Sequence, residues 1–358
     1  MIRLEKRLEP SRVMTAVTPV IAVVLTMIVG GIMFALLGKP PFEAIKMIFW
    51  EPIFGEFAFF YRSQVLIKAA PLIIIATGLS FGFRAGIWNI GAEGQYIIGA
   101  ICGAAAALAF YPLESRFIFP LMLAAGILGG FAWAMIPAVL KNRFKTNEIL
   151  VSLMLVYVAT SILTAVSQGI LKNPDGHGFP GSRNLQQYPS AANLELIPNT
   201  GIHLGVIAAL LFVVVTHFFM RAHILGFQVK ITGEAPRAAR FSGIAPDKIV
   251  YICLGISGAS AGLAGVLEVA GPAGQITSSF HSGYGFTAIV VAYLGRLNAM
   301  GILLSGLLLA LTYIGGEIVQ QELKIPSSSM QAFQGMMLFF LLATDLFITY
   351  RIRLGVKK

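Results

Sequence analysis

The sequence predicts an all-α polytopic membrane protein: a bundle of about ten transmembrane helices with both termini in the cytoplasm. Three observations predict it. Of 358 residues, 57% are hydrophobic and only 12% charged, against roughly 25% charged in a soluble domain. Mean hydropathy is +0.80. Apolar runs close to the length of about 20 residues that spans a bilayer as helix recur along the whole chain.

The elements follow in order. MIRLEKRLEPSR is basic, and the apolar run after it covers 13–38. That run is longer than a signal-peptide core, and GKPPFEA is not a small-residue cleavage site, so it reads as a retained first membrane helix. Further spans are expected at 64–84, 88–111, 117–140, 147–170, 202–220, 248–270, 284–295, 299–320 and 331–350. Residues 1–358 thus make a single transmembrane domain. The 284–295 span, GFTAIVVAYLG at its heart, is too short for a full crossing and reads as broken or re-entrant. Such backbone is tolerated in a bilayer only where protein or a watery cavity satisfies it.

Charge sets the orientation. With the N-terminus inside and one crossing per span, 18 of the 26 basic residues fall inside, including Arg84, Lys141, Arg221, Arg296 and the C-terminal RIRLGVKK. Cytoplasmic loops are enriched in Lys and Arg, so this asymmetry favours an inside–inside topology. The Pro-, Gly- and Asn-rich stretch 171–201 is then extracytoplasmic; it is long for a connection, and long ordered loops are often functional. The stretch 221–248 is cytoplasmic. The loops at 141–147 and 221–248 hold similar places in two halves of five spans, which suggests a repeat.

Several function classes are excluded. The net charge of +10 belongs to helix ends, with no basic stripe of interleaved aromatics, so no nucleic acid is expected. Cys102 and Cys253 lie in apolar runs and form no CxxC, so they read as small buried hydrophobes. Gly176–Gly181 fits GxGxxG but sits in a loop rather than between strand and helix. Gly78–Gly82 fits GxSxG but ends a membrane helix, which reads as small-residue packing. The histidines 177, 203, 217, 223 and 281 have no ligand spacing. No P-loop occurs. Neither a metal nor a cofactor is expected, and no covalent chemistry.

What stands out is polar residues inside the spans: Asn89, Glu93, Gln95, Glu268, Gln275, Glu317 and Asp345. An acidic group at the centre of a lipid-facing helix costs about 2.5–3.5 kcal/mol. Such groups therefore face a bundle interior or a watery path. Glu317 and Asp345 lie near span ends and read as structural. In RAGIWNIGAEGQ, Asn89 and Glu93 are four apart and would share a face of a continuous helix. Gly86, Gly91 and Gly94 equally permit a helix break. Path lining and helix packing both stay open for Asn89, Glu93 and Gln95.

In the inside loop, TGEAPRAARFSGIAPDK predicts a short Ala-rich helix. Pro236 suits its first position, Gly243 its left-handed cap, and Arg237 and Arg240 flank it.

At these residues the sequence resembles a known family. FRAGIWNIGAEGQ, TNEILVSLMLVY (146–157), GEAPRAARFSGI, GISGASAGLAGVLEVAG (255–271) and GYGFTAIVVAYLGRLNAMG occur in order. Together they resemble the integral-membrane permeases of ABC importers, in the branched-chain amino acid, ribose and nucleoside superfamily. WNIGAEGQ is most similar to the nucleoside and simple-sugar subgroup. One departure is Val156, where family members often carry Asn.

The resemblance implies a permease subunit, not an enzyme, in the plasma (inner) membrane of a bacterium. It implies a second homologous permease, giving a heterodimer, two ATP-binding subunits beneath, and an extracytoplasmic substrate-binding protein above. ATP hydrolysis is then expected on a separate subunit. It also implies that 221–248 is the coupling loop, with Gly233, Glu234, Arg237, Ala238, Arg240 and Gly243 seating in the ATPase. Expected cargo is a nucleoside or related small polar solute, with a simple sugar or branched-chain amino acid as alternatives. Trp88 and Phe286 are candidate stacking surfaces, since aromatic faces suit bases. Asn89, Glu93, Gln95 and Glu268 are candidate polar liners. A different class, an ion-coupled secondary transporter, would use Glu93 and Glu268 as coupling carboxylates.

Overall fold

The structure, a computed structural model, describes residues 2–7, 11–176, 178, 180–281 and 283–354. His177, Lys357, Lys358 and the side chain of Asp345 lie outside what is described. The regular elements of the described chain are helices apart from one small ribbon. In order come β1 (Ile2–Lys6), α1 (Arg12–Leu36), α2 (Pro41–Phe49), α3 (Glu51–Phe54), α4 (Ala58–Arg84), α5 (Ala92–Leu108), α6 (Ile118–Phe144) and α7 (Glu148–Gln168). Then follow α8 (Leu204–Ala222), α9 (Ile224–Glu234), α10 (Pro236–Phe241), α11 (Pro246–Ala270), α12 (Tyr284–Leu294), α13 (Ala299–Glu322), α14 (Ser327–Thr349) and β2 (Tyr350–Leu354).

Eight of these, α1, α4, α6, α7, α8, α11, α13 and α14, are long and apolar enough to cross a membrane. The apolar helices α5 and α12 are shorter, with 17 and 11 residues. Val20, Val24, Ile28 and Ile32 of α1 are exposed at a spacing of four. Such a stripe suits hydrocarbon, where water would penalise it. The chain is an all-α polytopic membrane protein.

Two compact units make up the chain: residues 1–65 with 308–358, and residues 66–307. In the first, β1 and β2 pair antiparallel, with Ile2 opposite Leu354 and Lys6 opposite Tyr350. The two ends of the chain therefore meet. Ser11 starts α1 by accepting from the Met14 N–H at 3.3 Å, the side-chain cap expected of serine there. The Ser11 N–H donates to the Ile348 carbonyl at 3.3 Å, and Thr344 Oγ1 to the Thr18 carbonyl at 3.2 Å, so α1 runs along α14. Phe34 stacks on Phe333 at 5.7 Å in a small core that also holds Ile48 and Val319.

The second unit is built on α5, α6 and α11. These pack through Gly99, Gly130 and Gly262. A Cβ on Gly130 would lie 2.8 Å from the Cα of Gly262, so backbones touch where a side chain would hold them apart. Close approach of this kind replaces the hydrophobic drive that lipid removes. Asn147 caps α7 by accepting from the Ile149 N–H at 2.9 Å. Lys141 pairs with Glu148 across the α6–α7 joint. The long 171–201 stretch is ordered by the chain after α11: the Ser182 N–H donates to the Ile276 carbonyl at 2.9 Å, and the Leu185 N–H to the Gly274 carbonyl at 2.7 Å. Leu185, Tyr188 and Ala191 are buried beneath it.

Several features depart from the sequence reading. Helix α4 begins at Ala58 rather than 64, and 41–54 carries α2 and α3. Helix α9 fills much of the 221–248 loop. The terminal ribbon was not foreseen. Asn89 and Glu93 do not share a continuous helix, because α5 starts only at Ala92. The reason is local: Gly86 takes a φ of +72°, and the Asn89 side chain accepts from the Gly91 N–H at 3.0 Å. An Asn that bonds its own chain two residues on makes a turn.

Candidate functional site

The polar stretch between α4 and α5 doubles back into the second unit. At the end of α4 the Arg84 Nε donates to the Leu297 carbonyl at 3.0 Å, just past α12. The Ile87 N–H returns to the Gly82 carbonyl at 2.8 Å. Asn89 then reaches α11, where its Nδ2 donates to Ser257 Oγ at 2.8 Å. Ser257 is near the middle of the 25-residue α11, about 17 Å along it at 1.5 Å per residue. So the turn before α5 lies level with the middle of α11.

Asn89 and Gln95 are bonded to each other. Asn89 Nδ2 also donates to Gln95 Oε1 at 2.8 Å, and Gln95 Nε2 returns to Asn89 Oδ1 at 3.1 Å. The Ile90 N–H donates to Ser152 Oγ of α7 at 3.3 Å. Asn89 and Gln95 are each 1% exposed. Buried amides cost free energy unless bonded, and here two links tie the turn to the start of α5 while the other two reach Ser257 of α11 and Ser152 of α7. Val156, the departure noted above, packs against Gly94: a Cβ there would lie 3.1 Å from the Val156 Cα.

Glu93 makes the most informative contacts. It stands in the first turn of α5. One carboxylate oxygen accepts from the Gly283 N–H at 2.9 Å, the other from the Gly285 N–H at 2.6 Å. Those groups open α12. The carboxylate therefore lies at two helix N-termini at once, its own and that of α12. Each N-terminus carries about half a positive charge, so one full negative charge offsets both. Gly285 has no room for a side chain, since a Cβ would lie 2.5 Å from the Glu93 Cα. Two short helices thus meet head to head in the bundle, α5 and α12, with Glu93 buried between them at 2% exposure.

Around this junction sit residues that sequence reasoning missed. Tyr96 stacks on Phe280 at 5.2 Å with ring planes 10° apart, and meets Tyr284 edge-on at 5.9 Å. Its hydroxyl is buried and finds no partner among the described residues. Lys68 Nζ lies 5.8 Å over the Tyr284 ring and within electrostatic reach of Glu268. Glu268, 8% exposed, borders a crevice with no room for a water molecule, together with His203, Ala70 and Pro71. The sequence did offer one signal: Tyr96 follows Gln95 directly, and Tyr284 opens the glycine-rich GYGFT. Glu268 contributes to this neighbourhood, but it is not bonded to the Asn89–Gln95 pair.

Trp88 and Phe286 differ from the amides in being 40% exposed each. Trp88 stacks on Tyr293 at 5.5 Å with ring planes 17° apart, and Phe83 closes the cluster 5.1 Å from Tyr293. Phe286 and Tyr293 are seven apart on α12, so they share a face. An aromatic row runs along α12 and ends at Trp88.

The second candidate region is α9–α10. Pro236 opens α10, and its C-terminus closes with the Ile244 N–H on the Ala239 carbonyl at 3.0 Å, with Gly243 at a φ of +79°. That is a left-handed cap only glycine takes without strain. Arg237, Ala238 and Arg240 are exposed, Ala239 is buried, and Phe241 is 94% exposed. Glu234 pairs with Lys230 at 3.9 Å on the surface, a contact worth little in water. Gly233 presses on the turn after α4, where a Cβ would lie 3.0 Å from the Arg84 carbonyl carbon. The same turn therefore touches the end of α9 just before α10, the chain just past α12, and leads on to Glu93.

The discarded patterns are placed too. Ser80 sits within α4 and donates to the Thr77 carbonyl at 2.7 Å. Gly176 and Gly181 lie in a loop, of which 177 and 179 fall outside the described residues. Among the described residues no cluster could hold a metal.

An all-α bundle with broken, polar-cored helices and an exposed basic surface helix defines a membrane transport subunit. The chain belongs to the family described as branched-chain amino acid transport system / permease component, whose model matches residues 61–342. It is 33% identical to a glucose ABC transporter permease protein, TsgB13 of Haloferax volcanii, over 98% of this chain and 94% of that one. It is 30% identical to a guanosine ABC transporter permease protein, NupP of Bacillus subtilis, over 86% and 88%. It is 25% identical to a nucleoside ABC transporter permease protein, NupB of Lactococcus lactis, over 90% and 89%. The chain is a multi-pass membrane permease subunit.

Proposed function

We propose that this chain forms half of the path of an ATP-driven importer for a nucleoside or simple sugar in the plasma membrane. Both termini and α10 lie on the cytoplasmic side, and 171–201 lies outside. A second, homologous permease supplies the other half. Relatives point the same way: Bacillus subtilis has guanosine permease proteins NupP and NupQ, and Haloferax volcanii has TsgB13 and a putative glucose permease protein TsgC13. Two ATP-binding subunits seat against α10, with Glu234, Arg237, Ala238 and Arg240 in contact, and an extracytoplasmic binding protein delivers cargo.

The observation that carries this reading is the contact route inside the second unit. It runs from exposed α10 through Gly233 to the Arg84 turn, and from there to Glu93 and α12. Closure of the ATPase pair pulls on α10 and biases a two-state bundle. Asn89, Glu93, Gln95 and Glu268 serve the path by holding its broken helices in place. Trp88 and Phe286 present aromatic faces to the cargo, since base stacking on aromatics is worth about 1–3 kcal/mol.

Aromatic faces also suit sugar rings, and the relative matching 98% of this chain is a glucose permease protein, which favours sugar as the second reading. Vesicles holding the assembled transporter distinguish them. ATP-dependent uptake of labelled guanosine but not glucose is expected, with Trp88→Ala raising the apparent KM and leaving the amount of folded protein unchanged. Glucose uptake alone would select the sugar. Uptake that a protonophore abolishes but ATP depletion spares would overturn the ATP-driven reading altogether.

A further inference from the structure

We infer that His203 and Tyr96 are the two donors of a latch that closes on Glu268 when the second unit changes state, and that they stand open in this one. This latch rests on the transport role proposed above and on neither the cargo nor the drive.

The partners of His203 locate its proton. His203 lies just before α8, 3% exposed, and its Nδ1 accepts the Gly205 N–H at 3.0 Å. A protonated ring nitrogen cannot accept, so Nδ1 carries the lone pair and the proton sits on Nε2. Asn193 of the 171–201 stretch agrees with this. Its Oδ1 accepts the Leu204 N–H at 3.2 Å, so its Nδ2 is the atom that donates to Nδ1, at 3.1 Å. The ring is also boxed in. A Cβ on Gly205 would lie 2.5 Å from its Cε1, and one on Gly271 3.4 Å from its Cδ2. The Nε2–H is thus held in place, buried, and without an acceptor among the described residues.

The crevice that His203 borders has no room for a water molecule. An acceptor must then come from the protein. Glu268 of α11 borders the same crevice, and the remaining described side chains around it are apolar. Tyr96 repeats the pattern on α5. A Cβ on Gly265 would lie 3.1 Å from the Tyr96 carbonyl carbon. Tyr96 therefore packs on α11 close to one turn before Glu268, within electrostatic reach of it. Its buried hydroxyl likewise finds no partner among the described residues. The two oxygens of a carboxylate can accept both donors. Two buried donors left unmatched disfavour the arrangement seen here. A small slide of α11 against α5 and α8, of the kind that switches helical bundles, brings an acceptor to them.

The test uses the assembled full-length transporter in vesicles. Tyr96→Phe removes only the hydroxyl, so the thermal midpoint of the ATP-free protein should hold or rise. His203→Asn removes the Nε2–H but keeps an oxygen to cap α8, a position asparagine suits. In each variant the maximal uptake rate per folded molecule should fall several-fold with the apparent KM unchanged. Adding Glu268→Gln to either should cost no more than the worse single change, because all three act in one contact set. A lower midpoint in Tyr96→Phe, with uptake falling only as folded protein falls, would make the hydroxyl structural and overturn the latch. A raised KM at an unchanged maximal rate would make these residues cargo contacts and overturn it equally. Losses that multiply in the combined variants would remove Glu268 from the latch and end it. If the unaltered complex takes up neither guanosine nor glucose, the transport reading fails and the latch with it. Uptake in the unaltered complex that the single variants keep in full would sink the latch alone.

Discussion

Glu93 fixes the chemistry at the residue scale. Its oxygens take two N–H groups from α12 at 2.9 and 2.6 Å while its own backbone begins α5. Gln in its place keeps the volume and one acceptor, but its NH₂ group faces an N–H donor. One donor of the pair is left unmatched, and hydrogen bonds to a charged group are worth about 1.5–3 kcal/mol. Glu93→Gln should therefore lower the thermal midpoint in detergent by the equivalent of that range. It should also slow uptake per folded molecule, because α12 is held to α5 by one of these bonds rather than two. Normal uptake per folded molecule, with only less protein recovered, would assign Glu93 a purely structural part. The type and position of Glu93 could be read from the sequence as a buried polar group. Its partners could not, because Gly283 and Gly285 lie 190 and 192 residues away and offer only backbone.

Elements carry the next level. Helices α5 and α12 are short because each begins inside the bundle. The brevity of α12 was legible, since GFTAIVVAYLG is too short to cross a bilayer. The late start of α5 was not, because Trp88 to Gly91 looks like the head of one apolar run until Asn89 turns the chain. The ten apolar runs themselves were legible from length alone, while α2, α3 and α9 were masked by mixed polarity. Gly285 makes the head-to-head contact possible. Gly285→Ala places a methyl against the Glu93 backbone, where the Cα would lie 2.5 Å away. Overpacking of this kind costs about 1–3 kcal/mol, and thermal unfolding should show it, with Gly335→Ala as the control in open space. Arg84 is the joint between elements. Arg84→Met keeps a long stem but deletes the Nε bond to Leu297. Coupling should weaken, read as more ATP hydrolysed per solute moved. An unchanged ratio would remove Arg84 from the route.

At the scale of the whole molecule, the question is how a chain without a nucleotide-binding fold answers to ATP. Nothing in the sequence resembles a P-loop, so force must enter through a surface. The exposed candidate is α10, where Arg237, Ala238 and Arg240 face outward and only Ala239 is buried. Its small side chains admit close approach, and its two arginines suit an acidic rim. Behind it, Gly233 lies against the Arg84 turn with no side chain between them, and the proposed coupling route passes through that contact. Composition could announce the membrane class. The docking role proposed for α10 rests on family resemblance, because exposure alone does not name a partner. Arg237→Glu with Ala238→Glu reverses the charge and adds bulk without touching a buried residue. Surface changes of this kind move stability by about 0.5 kcal/mol or less, so the thermal midpoint should hold. ATP hydrolysis by the assembled complex should continue or fall while uptake drops well below it. Uptake that keeps pace with hydrolysis in this variant would place the coupling surface elsewhere.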